Sequence, residues 1–531
     1  MGLQNSQIIL AKNIKMDKNY KNVLNYTVNE MLELMQSTDH LVFIANDYSF
    51  IRSQNSIFVQ IPYTTCLQSN YIAFQNKDYS NKWFFAWIDD VIYSTDGSTE
   101  IKFTIDAWTT WWEDWNVKTC FVNRHHVNDD TIGLHTINEN IDVGEVIQES
   151  ADEFLNYDVE PSDPKKYYLA IESTYNPISN KDFIGVNKMN GNFFGSWIFL
   201  FKVFSGSVGI PEINNFLEDV NISEKIGSIQ NMYIIPAFIA DNIGKTEHKK
   251  TGTFGSYSFY ILNSSDEVLS IASTIDRTHS FSSYQPKNNK CFCYPFNYLI
   301  ASNNLGNQII YKYEDFSPNN LTHKPLFEIQ CAVSNGCSVR LVPRAYKNVD
   351  YNYDESIPLA KFPNCAWASD AFTNWLTQNA VNVGTNIVNT GVSIAAGNIG
   401  STASNIAGLI GQFRQANLLP SITGGNNNGD VNFSAMQNNF HLYHMRSKDE
   451  YIKIIDDYFT RFGYAIKKLE VPNLVGRKNW NYVEIGSDEE IGYGSVPSSF
   501  METINNACRS GITIWHNHEN LGNFALDNSI I

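Results

Sequence analysis

The fold class is indicated by two neighbouring stretches, KWFFAWI at residues 82–88 and EIKFTID at residues 100–106. The first is apolar on both faces, which is typical of a strand that is buried on both sides. The second alternates apolar and polar residues with a period of two, as a half-buried strand does. Asp96-Gly97 between them is a strong turn signal. The sequence therefore predicts a β-meander with one half-buried face.

Working outward, the first 127 residues fit the same pattern, and we predict an N-terminal β domain there. SIFVQIP at residues 56–62 is a short β-type run that ends at proline, and only residues 27–36 predict a helix. Residues 128–345 read as a β-rich insertion of short strands and Asn/Ser/Gly turns. The strands predicted in this insertion are residues 167–171, 196–203, 230–240, 256–262 and 338–343.

The character of the chain changes after residue 366. Residues 346–369 are predicted to be a linker, and residues 371–413 contain no Asp, Glu, Lys, Arg or His. Glycine and asparagine at residues 424–429 predict a flexible joint. We therefore treat residues 370–429 as one hydrophobic, partly helical loop and residues 430–531 as a C-terminal α+β domain.

Helix signals are clear in the C-terminal domain. Ser447 and Glu450 form a capping-box pattern, and Gly463 is expected to end the helix that follows. A second helix is predicted from Ser499 to Gly511, before a strand at residues 512–515. The apolar stripe predicted for the first helix consists of Tyr451, Ile454, Ile455, Tyr458, Phe459 and Phe462.

Two periodicities overlap in the uncharged segment. One helical face carries large apolar side chains, and small residues recur at four-residue steps, which allows helices to approach closely in lipid. The small residues are Ala396, Gly400, Ser404 and Gly408. This pattern is typical of a segment that enters a membrane under certain conditions. A glycine-rich helical hairpin in the protein's own interior, or a disordered linker, would have the same composition.

Composition excludes some classes of protein and favours others. A chain of 531 residues exceeds one hydrophobic core, so several domains are expected. The net charge of −17 gives no electrostatic drive toward nucleic acid, which argues against a DNA- or RNA-binding module. Eight scattered cysteines imply no disulfide framework. Since the N-terminus lacks a signal-peptide pattern, we expect synthesis in a reducing cytoplasm.

Patterns with catalytic or metal-binding chemistry are weak. Four cysteines are too loosely spaced for a zinc site, and three histidine groups lack accompanying ligands at useful spacing, so we interpret all of them as structural. They are Cys291, Cys293, Cys331 and Cys337, and the histidines His125-His126, His441 with His444, and His516 with His518. We predict no catalytic residue, no cofactor and no metal.

Several separate blocks resemble one family. They are SNYIAFQNKDYSNKWFFA at residues 69–86, FTIDAWTTW at 103–111, FVNRHHV at 121–127, FGYAI at 462–466, RKNWNYV at 477–483 and GITIWH at 511–516. In this order they resemble the tail knob, or distal tail tube, proteins of small podophages that infect Gram-positive bacteria. The hydrophobic segment lies just before the closing blocks, where that family carries a long hydrophobic loop.

The resemblance implies a mainly β protein with minor α content, whose β-barrel tube walls are completed across a ring of six subunits. It implies a virion protein, not an enzyme, that contacts other tail proteins such as a proximal tail or connector protein and a tip protein. Genome DNA would pass through the lumen without specific binding. The loop at residues 370–429 would plug the lumen and then insert into the host membrane.

The membrane-inserting residues that we predict lie in the uncharged segment. They are Val392, Ile394, Ile399, Gly400, Ile406, Gly408, Leu409, Ile410 and Phe413. Two alternatives stay open at this point. One is a tail-tip hydrolase that degrades the cell wall, and the other is an adhesin that binds a receptor through residues 128–345.

Overall fold

The computed structural model shows a mainly β protein with few helices. It describes residues 6–51, 54–77, 80–153, 167–173, 175–178, 181–182, 187–189, 192–194, 197–202, 210–222, 228–236, 245–262, 269–274, 284–303, 307–316, 326–332, 338–361, 364–366, 423–425 and 440–531. Two compact units result. Unit 1 consists of Met1–Glu145, Phe281–Phe292 and Lys448–Ile531, and unit 2 consists of Val146–Ser280 and Cys293–Ser447.

Unit 1 contains both ends of the chain, so the first and last segments predicted from the sequence share one unit. Its strands are β1 (Ile8–Ala11), β2 (Asn22–Leu24), β3 (Leu41–Ala45), β4 (Ser49–Ile51), β5 (Ser56–Val59), β6 (Tyr71–Asn76), β7 (Lys82–Thr95), β8 (Ser98–Ile105), β9 (Trp115–Val117), β10 (Cys120–His125), β31 (Tyr464–Glu470), β32 (Trp480–Ile485), β33 (Gly492–Gly494) and β34 (Ile512–Trp515). Its helices are α1 (Val28–Gln36), α2 (Tyr63–Cys66), α3 (Ala107–Trp111), α5 (Asp449–Phe462) and α6 (Ser498–Ser510).

The N-terminal meander closes on itself. β1 and β3 to β8 form one sheet in the order β3-β1-β6-β7-β8-β5-β4, so β3 and β4 are its two edges although only residues 46–48 separate them. Four Cα steps hold Ala45 and Ser49 within about 15 Å of each other. Across a flat sheet the same edges would lie about 29 Å apart. The sheet therefore curls into a barrel.

Aromatic side chains fill the barrel. Phe50 of β4 and Phe74 of β6 have ring centroids 5.9 Å apart, although three strands lie between them in the sheet. Phe103 of β8 lies 5.2 Å from Phe74, and Tyr48 lies 5.9 Å from it. Because a barrel of this strand number is only wide enough for side chains, these contacts constitute its core.

The second sheet of unit 1 joins distant parts of the chain. Its order is β2-β34-β32-β10-β31, with β2 and β34 parallel and the other pairs antiparallel. Trp480 of β32 and Trp515 of β34 are fully buried with ring centroids 5.0 Å apart, and Phe524 packs on both. α6 packs against β32. Apolar burial between these strands therefore stabilises the contact between the two ends of the chain.

Local helix signals in the first 127 residues are partly confirmed. α1 begins after Thr27, whose hydroxyl accepts a hydrogen bond from the Glu30 amide at 3.3 Å while the Glu30 carboxylate accepts one from the Thr27 amide at 2.8 Å. This is a complete capping box. The prediction of only one helix is wrong, because α2 and α3 are also present. Both are too short to show helical periodicity.

The predicted cap of α5 is wrong. Ser447 pairs with Val146 in a sheet of unit 2, so its backbone is committed to a strand, and the N-cap of α5 is Lys448. Gly463 ends the helix as predicted, with a φ of 64° that favours glycine.

The apolar stripe predicted for α5 is also partly wrong. Ile452, Ile455 and Phe459 are buried, whereas Ile454 is 67% exposed. The buried face is therefore rotated from the predicted one, because the packing of α5 in the folded unit selects it. α6 starts at Ser498 after Pro497, one residue before the predicted start, and Gly511 follows its end as predicted.

Unit 2 is rich in β-strands, and its bounds are not those of the insertion predicted at residues 128–345, because it begins at Val146 and extends to Ser447. Its strands are β11 (Val146–Glu153), β12 (Tyr167–Ser173), β13 (Tyr175–Asn176), β14 (Lys181–Asp182), β15 (Asn187–Met189), β16 (Asn192–Phe194), β17 (Trp197–Lys202), β18 (Ile229–Pro236), β19 (Lys245–Gly252), β20 (Gly255–Leu262), β21 (Leu269–Thr274), β22 (Asn297–Ser302), β23 (Gln308–Tyr311), β24 (Leu326–Ala332), β25 (Ser338–Tyr346), β26 (Val349–Tyr351), β27 (Ile357–Lys361), β28 (Asn364–Ala366), β29 (Thr423–Gly425) and β30 (His441–Ser447). One helix that the sequence analysis missed, α4 (Ile210–Ile222), packs against β20.

Three larger sheets organise unit 2. Their orders are β19-β20-β17-β12-β18-β28-β29, β11-β30-β22-β23 and β21-β24-β25-β26, and β27 also pairs with β25. The predicted linker at residues 346–369 therefore differs from the structure, since β26, β27 and β28 lie in it. Gly424 and Gly425, predicted to be part of a flexible joint, pair with Cys365 and Asn364 in a sheet. Backbone pairing overrides their local flexibility.

Candidate assembly surface

The predicted membrane-inserting residues lie outside the described residues. These are Val392, Ile394, Ile399, Gly400, Ile406, Gly408, Leu409, Ile410 and Phe413. Of residues 370–429 the structure describes only 423–425. Among the helices that are described, none combines the length and the apolar character needed to cross a membrane. The membrane segment therefore stays a prediction.

An open sheet edge lies on unit 1. β31 pairs with β10 on one side and, within the described residues, is the last strand of the five-stranded sheet. A register shift places Ile466 and Lys467 opposite Asn123, and Lys467 has a φ of 49°. A bulge and exposed lysines at an edge disfavour the addition of another strand along its full length. Contacts at this edge would therefore be made by side chains of the part of β31 that follows the bulge, not by backbone pairing with another strand.

Exposed apolar side chains continue from this edge to the C-terminus. Leu469 is 68% exposed, and Val471 and Val475 are each 56% exposed. The backbone amide of Ile531, which is 80% exposed, donates to the Gly476 carbonyl at 3.2 Å and so holds the C-terminus beside this loop. We call Leu469, Val471, Val475 and Ile531 the assembly patch. Apolar surface of this kind marks interaction sites more often than isolated exposed residues do.

The outer part of the β7–β8 hairpin is acidic. β6 pairs only with residues 82–87 of β7, so beyond Ile88 the hairpin extends past that neighbour. Asp90 and Asp96 are exposed there, and Gly97 at the tip has a φ of 86°. This surface repels a polyanion.

The histidines at 125 and 126 are structural, as the sequence analysis interprets them. His125 Nδ1 accepts from the Asn473 amide at 3.0 Å, and His126 Nδ1 accepts from the Tyr482 amide at 2.7 Å. His126 Nε2 donates to the Thr460 carbonyl at 3.0 Å. Burial lowers the pKa of His126 to about 3 and that of His125 to about 4, so both are neutral at pH 7.

Other sequence candidates also have structural partners. His444 contacts the Tyr313 hydroxyl at 2.7 Å and Asp152 at 2.9 Å. Cys291 and Cys293 are buried thiols. Cys337 and the side chain of Cys331 lie outside the described residues, so the interpretation of the four cysteines as structural stays a prediction.

Two buried carboxylates hold the separate segments of unit 1 together. Asp456 of α5 accepts from the Tyr284 hydroxyl at 2.6 Å and from the amides of Lys287 at 2.8 Å and Asn288 at 2.9 Å. Glu139, whose side chain is 3% exposed, accepts from Arg124 and Lys290. Partners from three segments satisfy these charges, which gives them a structural role.

Comparisons with known proteins agree with this architecture. The family model described as Bacillus phage phi29, Tail knob protein gp9, C-terminal domain matches residues 261–529, which is just over half of the chain. The model described as Caudoviral major tail protein N-terminus matches residues 4–116. The chain belongs to the tail knob protein family.

Relatives of this tail knob protein match along nearly the whole chain. Tail knob protein gp9 of Bacillus phage phi29 is 22% identical over 91% of each chain, and that of Bacillus phage B103 is 22% identical over 99% of each chain. The protein is therefore a structural component of a phage tail and resides in the virion. The prediction that it is not an enzyme is confirmed by the structural role of the family.

A solved structure shares the fold. The bacteriophage C1 tail knob protein gp12 aligns with a TM-score of 0.57 and 13% identity, over 99% of this chain and all of the other. The family resemblance seen in the terminal sequence blocks is thus confirmed, and the mainly β fold extends through the middle region that the blocks did not cover.

Sequence reasoning missed the assembly patch of this tail knob protein. Valine and leucine in the stretch LEVPNLV at residues 469–475 are equally compatible with a core strand. Only the tertiary structure shows that Leu474 is buried whereas Leu469, Val471 and Val475 are exposed. The proline at 472 was the one available signal, since it breaks the strand pattern before the exposed loop.

Proposed function

We propose that six copies of this chain form a ring at the distal end of the tail and that the genome leaves the virion through the centre of the ring. The observation that carries the proposal is the filled barrel of a tail knob protein. Phe50, Phe74 and Phe103 occupy the barrel interior, so this barrel offers no path for DNA. A passage then requires several copies around a common axis.

The negative charge of the protein favours a channel through which DNA passes over a site that binds DNA. The net charge of −17 and the acidic outer part of the β7–β8 hairpin disfavour adhesion of DNA, because no phosphate neutralisation accompanies contact. DNA in transit would then slide without specific binding. We place acidic surface of this kind toward the lumen.

Contact between copies would use the assembly patch. Leu469, Val471 and Val475 would lose water contact when covered by a neighbour, which stabilises association by roughly 25 cal/mol per Å² of apolar area. In this arrangement side chains of neighbouring copies would pack against each other around the ring, which would complete the tube wall. Other tail proteins, at the proximal and tip ends, would bind the remaining faces of the ring.

The hydrophobic segment would supply the plug and the pore. Residues 371–413 lack ionisable side chains, and residues 396–408 carry small residues at four-residue steps. Inside the ring such a segment would be shielded from water. On release it would insert into the host membrane, with the polar asparagines facing the lumen of the pore.

Particle mass tests the ring. We expect native mass spectrometry of the full-length protein to give six copies, and Leu469→Asp with Val471→Asp to shift the distribution toward monomers. Tyr93→Asp, at an exposed position of the β7–β8 hairpin, is the control for adding charge to the surface. A monomer at all concentrations would contradict the ring.

Dye release from anionic liposomes tests the pore. Replacing both Gly400 and Gly408 with Leu should reduce release by about 10-fold or more, because it blocks close helix approach, while assembly mass stays unchanged. The double variant Val392→Leu with Ile394→Leu keeps the ladder of small residues and is the control. Absence of leakage with the wild-type chain, across pH and lipid composition, would exclude the pore while leaving the ring intact.

A further inference from the structure

Tertiary folding brings His40, His518 and Glu519 of unit 1 together, although 478 positions separate the two histidines in the sequence. His40 lies in the turn between α1 and β3, and His518 begins a short 3-10 turn, His518–Asn520, after β34. One ligand atom from each of the three residues lies within 4.8 Å of the other two. We propose that this cluster binds a divalent transition-metal ion, with Zn²⁺ as the ion that fits it best.

The distances between the donor atoms fit tetrahedral zinc. His40 Nε2 lies 3.7 Å from Glu519 Oε1, and His518 Nδ1 lies 3.4 Å from the same oxygen. Zinc bonds of 2.0–2.2 Å to nitrogen and oxygen place neighbouring tetrahedral ligands about 3.3 Å apart. The two distances to Glu519 therefore need shifts of only a few tenths of an ångström, which is within the reach of its exposed side chain, and the donor nitrogens of the two histidines lie within 4.8 Å of each other.

The orientation of His40 is already that of a metal ligand. Its Nδ1 lies 3.0 Å from the Lys12 carbonyl oxygen, and since a carbonyl only accepts, Nδ1 carries the proton and donates it. In neutral His40 the lone pair of Nε2 then faces the Glu519 carboxylate. This lone pair and the carboxylate oxygen, 3.7 Å apart, are both donor atoms that a metal ion could use. A backbone carbonyl that fixes the distal nitrogen in this way is the usual support of a histidine ligand.

His518 is held by its own surroundings. Its backbone amide donates to the Tyr26 hydroxyl at 3.0 Å, and Nε2 lies 3.4 Å from the Lys15 amide. In the metal-free form Nδ1–H faces Glu519. Metal binding at Nδ1 would move that proton to Nε2, where it would face the Lys15 amide proton, so the ring and the Lys15 backbone would have to separate slightly while the imidazole stays neutral.

Burial gives the site one open side. His40 is 6% exposed and His518 is 1% exposed, whereas the Glu519 side chain is 70% exposed. Two buried imidazoles would bind the ion from inside the unit and one carboxylate from the surface, with water as the fourth ligand. Two histidines and one carboxylate suit Zn²⁺ and disfavour Ca²⁺ and Mg²⁺, which prefer oxygen donors. The ion would cross-link the N-terminal and C-terminal parts of unit 1.

Metal titration of the full-length protein tests the proposal. After chelator treatment and dialysis, we expect one Zn²⁺ per chain, tetrahedral-type visible absorption with Co²⁺, and a rise in Tm on addition of Zn²⁺. His40→Gln and His518→Gln should each weaken Zn²⁺ binding by at least about 100-fold, since ligands matter more than the outer residues whose loss costs 10–100-fold. Glu519→Gln should also weaken Zn²⁺ binding, and because the Glu519 side chain is exposed, this variant carries little risk to folding.

His516→Gln is the matched control. His516 lies in the same segment and contacts Asn481 Oδ1 at 3.0 Å, outside the cluster, so this variant should bind Zn²⁺ as the wild type does. Circular dichroism checks that each variant is folded. If the wild-type chain takes up no stoichiometric Zn²⁺, or if the His40 and His518 variants bind Zn²⁺ as tightly as the wild type, the three residues are not a metal site and the proposal is wrong.

Discussion

The two larger sheets of unit 1 differ in how the chain builds them. The barrel uses strands from one continuous stretch, residues 8–105, and most neighbours in it follow one another closely in sequence. The five-stranded sheet takes β2 and β10 from the N-terminal part and β31, β32 and β34 from the last 68 residues of the chain. Three of its four pairings span hundreds of residues, so closing the loops between these strands costs more conformational entropy.

The comparison shows what each kind of sheet depends on. In the barrel, the runs predicted at residues 56–62, 82–88 and 100–106 coincide with β5, β7 and β8. In the five-stranded sheet, correct pairing also depends on close contacts between segments distant in sequence, such as Gly463 against the His125 carbonyl, which no local pattern encodes. We therefore expect substitutions at such long-range contacts to cost more than similar substitutions in local turns.

A matched pair of glycine substitutions gives the largest expected effect. Gly463→Ala places a Cβ 2.2 Å from the His125 carbonyl oxygen at a φ of 64°, whereas Gly97→Ala has a φ of 86° and nothing within 4 Å. Left-handed strain alone costs about 1–2 kcal/mol, and overpacking adds about 1–3 kcal/mol at Gly463. Urea unfolding followed by tryptophan fluorescence should show Gly463→Ala to be the more destabilising by at least about 1 kcal/mol. Equal losses of unfolding free energy in the two variants would mean that the close contact between Gly463 and the His125 carbonyl does not contribute to the stability of the five-stranded sheet.

Acidification should weaken the same sheet through His125 and His126. Their pKa values are lowered to about 4 and about 3 in the folded protein, so between pH 6.5 and 5 only the unfolded chain gains these protons. Stability is then full above about pH 6.5 and falls as the pH decreases. Each histidine contributes a loss of about 2 kcal/mol by pH 5, at about 1.4 kcal/mol per pH unit.

The pH dependence has its own control. The difference in unfolding free energy between pH 7 and pH 5 should shrink by about half of the histidine contribution in His126→Gln, whatever the stability of this variant at pH 7. A difference that stays unchanged would show that His126 does not set the acid sensitivity.

Substitutions at the two predicted helix caps should have the smallest effects on stability. They compare a cap that the structure confirms, Thr27, with one that it does not, Ser447. Thr27→Ala removes a complete capping box and should cost about 1 kcal/mol in urea unfolding. Ser447→Ala should be nearly neutral, because Ser447 lies in β30 and its hydroxyl has no hydrogen-bond partner among the residues that the structure describes. A loss at Ser447 equal to that at Thr27 would contradict the observed start of α5.

Sequence patterns predicted the β character of the N-terminal and middle regions, and they predicted both C-terminal helices to within a few residues. They failed where tertiary contacts decide between equal local options. Ser447 and Glu450 match a capping box, yet pairing with Val146 draws Ser447 into a sheet. Residues 346–369 read as a linker because their apolar runs are short. Pairing with the neighbouring β25 makes strands of β26 and β27, and pairing with the distant β18 and β29 makes a strand of β28.

Family membership, a mainly β fold and the uncharged segment at residues 371–413 follow from the sequence alone, because composition, period-two alternation and repeated local blocks are properties of neighbouring residues. Only the tertiary structure decided that the N-terminal sheet curls into a filled barrel, that residues 469–475 present valines at the surface, and that His40 meets His518 and Glu519. Each of these results from segments distant in sequence competing for the same apolar surface and the same hydrogen-bond partners, and no local pattern encodes that competition.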